Sequence, residues 1–117
     1  MRATIAIIEP HPQIRPLFSE LLNDLGYRVL FHTGRFSEFV LLVDPDAPPQ
    51  VCINDTNYRD MYGFCHSKCI KENFIQSKTI IHSNDPSDMV YQAFKNIDVV
   101  DYYVDKCSGL EALQRAI

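Results

Sequence analysis

Glu9, Asp55, Ser83 and Lys106 each stand just past an apolar, strand-like run. ATIAII over residues 3–8 ends at Glu9, VCIN over 51–54 at Asp55, TIIH over 79–82 at Ser83, and DYYV over 101–104 leads to Lys106. If these runs pair as one parallel sheet, the four side chains converge outside its carboxyl edge, where open α/β sheets bind ligands. Two carboxylates, a hydroxyl and an ammonium at one point suit phosphoryl chemistry. Carboxylates serve as nucleophile or hold a hard cation, while a donor and a positive charge meet the phosphoryl oxygens. Taken singly, each residue has an ordinary reading: an acid opening a turn, a serine capping one, a lysine on the surface. The ordered set carries the inference.

The elements that must position them alternate between two periods. After the first run, Ile14, Leu17, Phe18, Leu21, Leu22 and Leu25 fall at helical spacing, which predicts an amphipathic helix beginning near Pro12 and stopped by Gly26. Pro12 suits a first helical turn, whereas Pro16 would strain or bend the start. Residues 28–32 read as a second strand, and 37–43 as a short helix capped by Ser37 and closed by the turn-rich DPDAPP. Further helices are predicted over 63–73, over 87–95 after Pro86, and over 110–117. The pattern is (βα)5. Strands one, three and four are apolar nearly throughout, as parallel strands covered by helices on both faces are.

At 117 residues the chain can bury one hydrophobic core and has no room for two folded units, so residues 1–117 are read as one domain. A net charge of −4 argues against the phosphate-backbone footprint of a nucleic-acid binder. The longest apolar stretch, 39–43, is far short of a membrane span, and the first residues lack the build of a signal peptide. The expectation is a cytoplasmic protein that binds neither membrane nor nucleic acid directly. Cys52, Cys65, Cys69 and Cys107, without secretory context, are expected as reduced thiols, Cys52 inside a buried strand. The CHSKC segment sets two thiols on one helical face but falls short of the four ligands of structural zinc. His11, ahead of Pro12, is expected to shape the start of the first helix rather than to ligate metal.

As a set, these motifs resemble the receiver domain of two-component response regulators, over essentially all 117 residues. The family pattern has an acidic pair after strand one, an aspartate after strand three, a serine or threonine after strand four and a lysine after strand five. Further matches are the His-Pro of IEPHPQIR, similar to the DDHPxxR opening of one regulator branch, Gly63 eight residues after Asp55, and Tyr103 three before Lys106. The resemblance implies a flavodoxin-like three-layer sandwich with a parallel five-stranded sheet in order 2-1-3-4-5. It implies Asp55 as phosphoacceptor, Ser83 and Lys106 as its catalytic companions, and Tyr103 as a switch residue. It also implies Mg2+ held by Glu9, Asp55 and the backbone carbonyl of Asn57. The donor would be a sensor histidine kinase or phosphotransfer protein, and the output an effector domain or partner outside this chain, with homodimerisation possible. Such a domain is a substrate of a kinase rather than an enzyme, at most catalysing its own phosphotransfer and dephosphorylation.

The departures matter as much. Pro10 occupies the place of the second acidic residue, the family's direct metal ligand, which predicts weakened Mg2+ binding. Tyr58 and Arg59 stand where the family usually has Met-Pro, and Cys107 replaces the common proline after the lysine. The loop after strand four is about two residues short and the segment NIDVVD about two long against the family spacing, which predicts a displaced helix over 87–95. The alternative reading is a pseudo-receiver that keeps the fold and acts as a protein–protein interaction module without phosphorylation. A flavodoxin-like hydrolase or flavin binder ranks below both, because no phosphate-cradling glycine loop occurs.

Overall fold

Five parallel strands, β1 (Thr4–Ile8), β2 (Arg28–Thr33), β3 (Val51–Asp55), β4 (Lys78–Ser83) and β5 (Tyr102–Asp105), pair in the order β2-β1-β3-β4-β5. The computed structural model describes residues 2–55, 62–83 and 100–117, with the backbone alone at 55 and 62–65. The described helices are α1 (Ile14–Asp24), α2 (Phe36–Leu42), α3 (Tyr62–Asn73) and α4 (Leu110–Ala116), with a 3-10 turn at Lys106–Ser108. The helix expected over 87–95 lies outside the described residues. None of the described helices is long and apolar enough to cross a membrane.

The continuous apolar runs have a simple cause. Alternate residues of one strand point to opposite faces, so Ile5, Ile7, Val51, Ile53, Ile80 and Val104 pack with Leu22 of α1 and Leu113 of α4. On the other face, Ala6, Ile8 and Cys52 meet Phe39 of α2 and Ile70 of α3. β2, at the sheet edge, alternates instead, with Arg28, Leu30 and His32 less buried than Thr33.

The first helix starts later than its prolines suggested. Its first residue is Ile14, and His11 supplies the cap: its Nδ1 accepts from the backbone N–H groups of Gln13 and Ile14, both at 3.2 Å. The N–H of Arg15 donates to the His11 carbonyl at 3.1 Å, so Pro12 and Gln13 lie inside the first turn, and Pro16, which has no N–H, interrupts that ladder at the next position. The C-terminus closes with Gly26 at φ +97°, its N–H donated to Asn23 and that of Tyr27 to Leu22. Both bonds satisfy carbonyls that the helix end would otherwise strand.

Two further expectations are corrected. The second helix begins at Phe36 rather than Ser37, and no side chain caps it. Thr33 organises the approach instead, donating to the Glu38 carboxylate at 2.6 Å and accepting from the N–H of Arg35. Of the apolar stripe on α1, only Leu22 is fully buried; Phe18 and Leu25 are partly so, and Leu17 is 66% exposed. The helix carries a wider apolar face than the sheet can cover.

Cys52, Cys69 and Cys107 are free thiols. Burial pushes the Cys52 thiol from 9.0 up to about 12, against a smaller opposing effect of Lys71. Its neutral form is favoured by folding, so this contribution is fully present below pH 9 and is lost as pH rises toward 12. Relative to Cys52→Val, wild-type stability should be flat below pH 9 and fall by about 1.4 kcal/mol per pH unit between pH 9 and about 12. Urea denaturation of both proteins at stepped pH checks this; parallel curves through pH 10.5 would contradict it.

Candidate functional site

The strand order brings the four singled-out positions to one edge. Glu9 follows β1 directly, Asp55 and Ser83 are the last residues of β3 and β4, and Lys106 follows β5. Because all five strands are parallel, these positions share the carboxyl end of the sheet. Glu9 is held there by its own backbone, whose N–H donates to Thr33 at 2.9 Å and extends the β1–β2 ladder by one residue. Lys106 is set by the turn that follows β5: the Asp105 side chain accepts from the N–H of Cys107 at 2.8 Å. Gly109, at φ +90°, then releases the chain into α4.

The Lys106 ammonium meets the Glu9 carboxylate at 3.2 Å. β1 and β5 are separated by β3 and β4, so at about 4.8 Å per strand the pair closes a gap of roughly 14 Å. Both side chains must therefore arch over the ends of β3 and β4, where Asp55 and Ser83 stand. Glu9 is only 4% exposed and Ser83 only 1%. The arrangement is a buried acid and a partly buried base bridging a hydroxyl and a backbone position bearing a further acid.

Asn57, Tyr58 and Arg59 lie outside the described residues, as does most of NIDVVD. Tyr103 sits on β5, half-buried and paired in register with Ile81, while its neighbour Tyr102 is largely exposed beneath the ammonium of Lys78. Pro10 is exposed and offers no side-chain ligand. The peptide bond after Lys106 is trans.

Sequence reasoning passed over two residues beside Asp55. His82, its register partner on β4, stacks on Phe18 of α1 at 5.5 Å. Asn54, fully buried, donates from Nδ2 to the Ser67 hydroxyl of α3 at 3.3 Å, and its Oδ1 has no hydrogen-bond partner among the described residues. The signal was available: a buried amide closing the otherwise apolar VCIN is costly unless it binds something. Here it ties β3 to α3 immediately before Asp55.

No family model matches the chain, and no curated protein matches it by sequence. Solved structures do match. A LuxR-family DNA-binding response regulator from Staphylococcus aureus superposes with a TM-score of 0.80 at 21% identity, covering 98% of each chain. The isolated REC domain of RcsB from Salmonella enterica serovar Typhimurium, solved with the phosphomimetic BeF3-, gives 0.76 at 20% identity over 98% of this chain and 90% of its own. The chain has the receiver-domain fold. The signal receiver domain of a modulated diguanylate cyclase from Desulfovibrio desulfuricans G20 gives the same TM-score of 0.76 at 19% identity, over 99% of this chain and 90% of that one. Within the receiver fold, the edge that carries Glu9, Asp55, Ser83 and Lys106 is the carboxyl edge at which open α/β sheets bind ligands.

Proposed function

We propose that residues 1–117 form a phosphorylatable, cytoplasmic receiver domain that accepts a phosphoryl group on Asp55 from a histidine kinase or phosphotransfer protein. The observation that supports this most is the Glu9–Lys106 pair, which carries a positive charge across the ends of β3 and β4. In the transfer, a carboxylate oxygen of Asp55 forms a bond to phosphorus as the bond from phosphorus to the donor's imidazole nitrogen breaks. The imidazole leaves with that electron pair. Lys106 offsets charge on the transferring oxygens, and the Ser83 hydroxyl donates to one of them.

The donor set is all oxygen: the buried Glu9 carboxylate, Asp55 and the Asn57 carbonyl. It fits a hard divalent cation such as Mg2+, with Pro10 leaving one protein ligand fewer than an acidic residue would supply. When bound, Mg2+ would neutralise charge on the phosphoryl oxygens. Tyr103, half-buried on β5, changes orientation on phosphorylation, and a surface is thereby altered for an effector or a second copy. The chain itself turns over no other substrate.

Pro10 favours a second reading, in which the fold signals by protein contact alone. Beryllofluoride with Mg2+ separates the two. The receiver reading expects amide shifts around Asp55, Ser83, Tyr103 and Lys106 that Asp55→Ala lacks; unchanged spectra from a folded protein would favour the pseudo-receiver.

A further inference from the structure

On the face of the sheet opposite α1 and α4, a pocket of about 210 Å3 lies between α2 and α3. Phe39 and Ile70, each 1% exposed, form its floor, and Val40, 51% exposed, stands at its rim. Phe36, Val43 and Phe74 complete the apolar walls. These walls are braced from behind. The Phe36 ring lies within 11° of parallel to both Phe39 and His66, with ring centres 5.4 and 4.4 Å away, and Phe31 leans on Phe39 at 5.5 Å. A ligand therefore finds its contact surface already ordered, and little conformational freedom is lost on binding.

Size, lining and the polar groups present select the occupant. A cavity of about 150 Å3 lined by Leu, Ile and Phe holds benzene, and drug-sized ligands occupy upward of about 300 Å3, so this pocket suits one ring or a fused pair. Three phenylalanine rings on its surface favour an aromatic guest, stacked or edge-on. No charged side chain lines it among the described residues, and an ion would lose its hydration there without a counter-charge. Lys71 of α3 is committed elsewhere, to Asp101 at 2.7 Å.

The polar members of the lining are Cys69 and Asn73. Asn73 Nδ2 donates to the Cys69 carbonyl at 2.8 Å and to its Sγ at 3.6 Å. A carbonyl can only accept, so this contact fixes which way round the amide sits. Both of its N–H groups are used, and Oδ1 remains as an acceptor. The corner thus asks for a donor.

We propose that the α2–α3 pocket binds a neutral aromatic molecule of one ring or two fused rings that carries an N–H or O–H. The rings pack against Phe36, Phe39 and Phe74, and the donor is received by Asn73 Oδ1. Binding is independent of phosphorylation, so Asp55→Ala should take the ligand as wild type does.

The probe is indole, whose emission moves to the blue when it leaves water. The chain contains no tryptophan, so the signal is the ligand's own. A saturable blue shift is expected as protein is added. Val40→Phe and Cys69→Leu each put extra carbon into the pocket, and at least one should weaken binding by roughly tenfold or more. Benzofuran, which keeps the shape of indole and lacks the N–H, should compete roughly fivefold more weakly, the difference that one net hydrogen bond makes. Asn73→Leu should erase that difference. Asn73 is exposed, so its variant keeps the fold, and circular dichroism verifies this for all three. Absence of a saturable shift, binding indifferent to both filling variants, or equal competition by benzofuran each overturns the proposal. So does displacement of indole by decanoate more readily than by benzofuran, which would assign the pocket to an alkyl chain.

Discussion

Lys106→Met is expected to lower the free energy of unfolding by about 3 kcal/mol. The reasoning starts from burial. The Glu9 side chain is 6% exposed and that of Lys106 18%, so removal of the lysine leaves a carboxylate in a poorly solvated place without its counter-charge. Breaking a buried pair from one side costs about 3–5 kcal/mol, and the part of Lys106 that reaches solvent sets the lower end of that range here. The same physics predicts a rescue. Glu9→Leu combined with Lys106→Met removes both charges, and most of the loss should return, because the pair's own net contribution after desolvation is small. Urea denaturation of wild type, the single variants and the double variant measures the coupling. Additive losses, or a Lys106→Met effect below about 1 kcal/mol, would mean that the pair is solvated and does not bridge the sheet edge as described.

Pro10→Asp is expected to tighten Mg2+ binding by roughly tenfold to a hundredfold, about 1.4–2.7 kcal/mol. Mg2+ keeps several waters and takes few protein ligands, so a single added carboxylate is a large fractional change. With Glu9, Asp55 and Lys106 alone, the edge carries one net negative charge; an aspartate after Glu9 doubles it. The same substitution should lower stability without metal, since three carboxylates would then share the edge, and restore it with Mg2+. Calorimetric titration of Mg2+ into both proteins is the check. Equal affinities would show that Pro10 does not limit the site, and the weakened metal binding expected of this chain would then need another cause.

The sheet was legible because burial on both faces leaves continuous apolar runs in β1, β3 and β4, and because each run ends at a polar residue the edge can use. Helix starts were less so. His11 is an uncommon cap, and its role appears only in the placement of Nδ1 against two backbone N–H groups, with Pro12 inside the turn that the Arg15 N–H closes on the His11 carbonyl. Ser37 looked like a better cap than it is, since Phe36 packs beside Phe39 and draws the helix start back by one residue. Periodicity identified the apolar residues of α1 but not their partners, and Leu17 lies on a flank of the helix that the sheet does not reach. At the edge itself, residue types pointed to Glu9, Asp55, Ser83 and Lys106, whereas the join between the first and last of them needed the strand order. Asn54 was passed over because one amide at the end of an apolar run reads as the start of a turn. In the fold it is a buried tie from β3 to α3.

The most direct test of phosphoacceptance at Asp55 is the intact mass of the protein after incubation with acetyl phosphate and Mg2+, wild type beside Asp55→Ala. Wild type is predicted to gain the mass of one phosphoryl group and Asp55→Ala none. Labelling of both proteins would contradict the assignment of Asp55, and labelling of neither, with the fold intact, would contradict the phosphorylatable receiver itself.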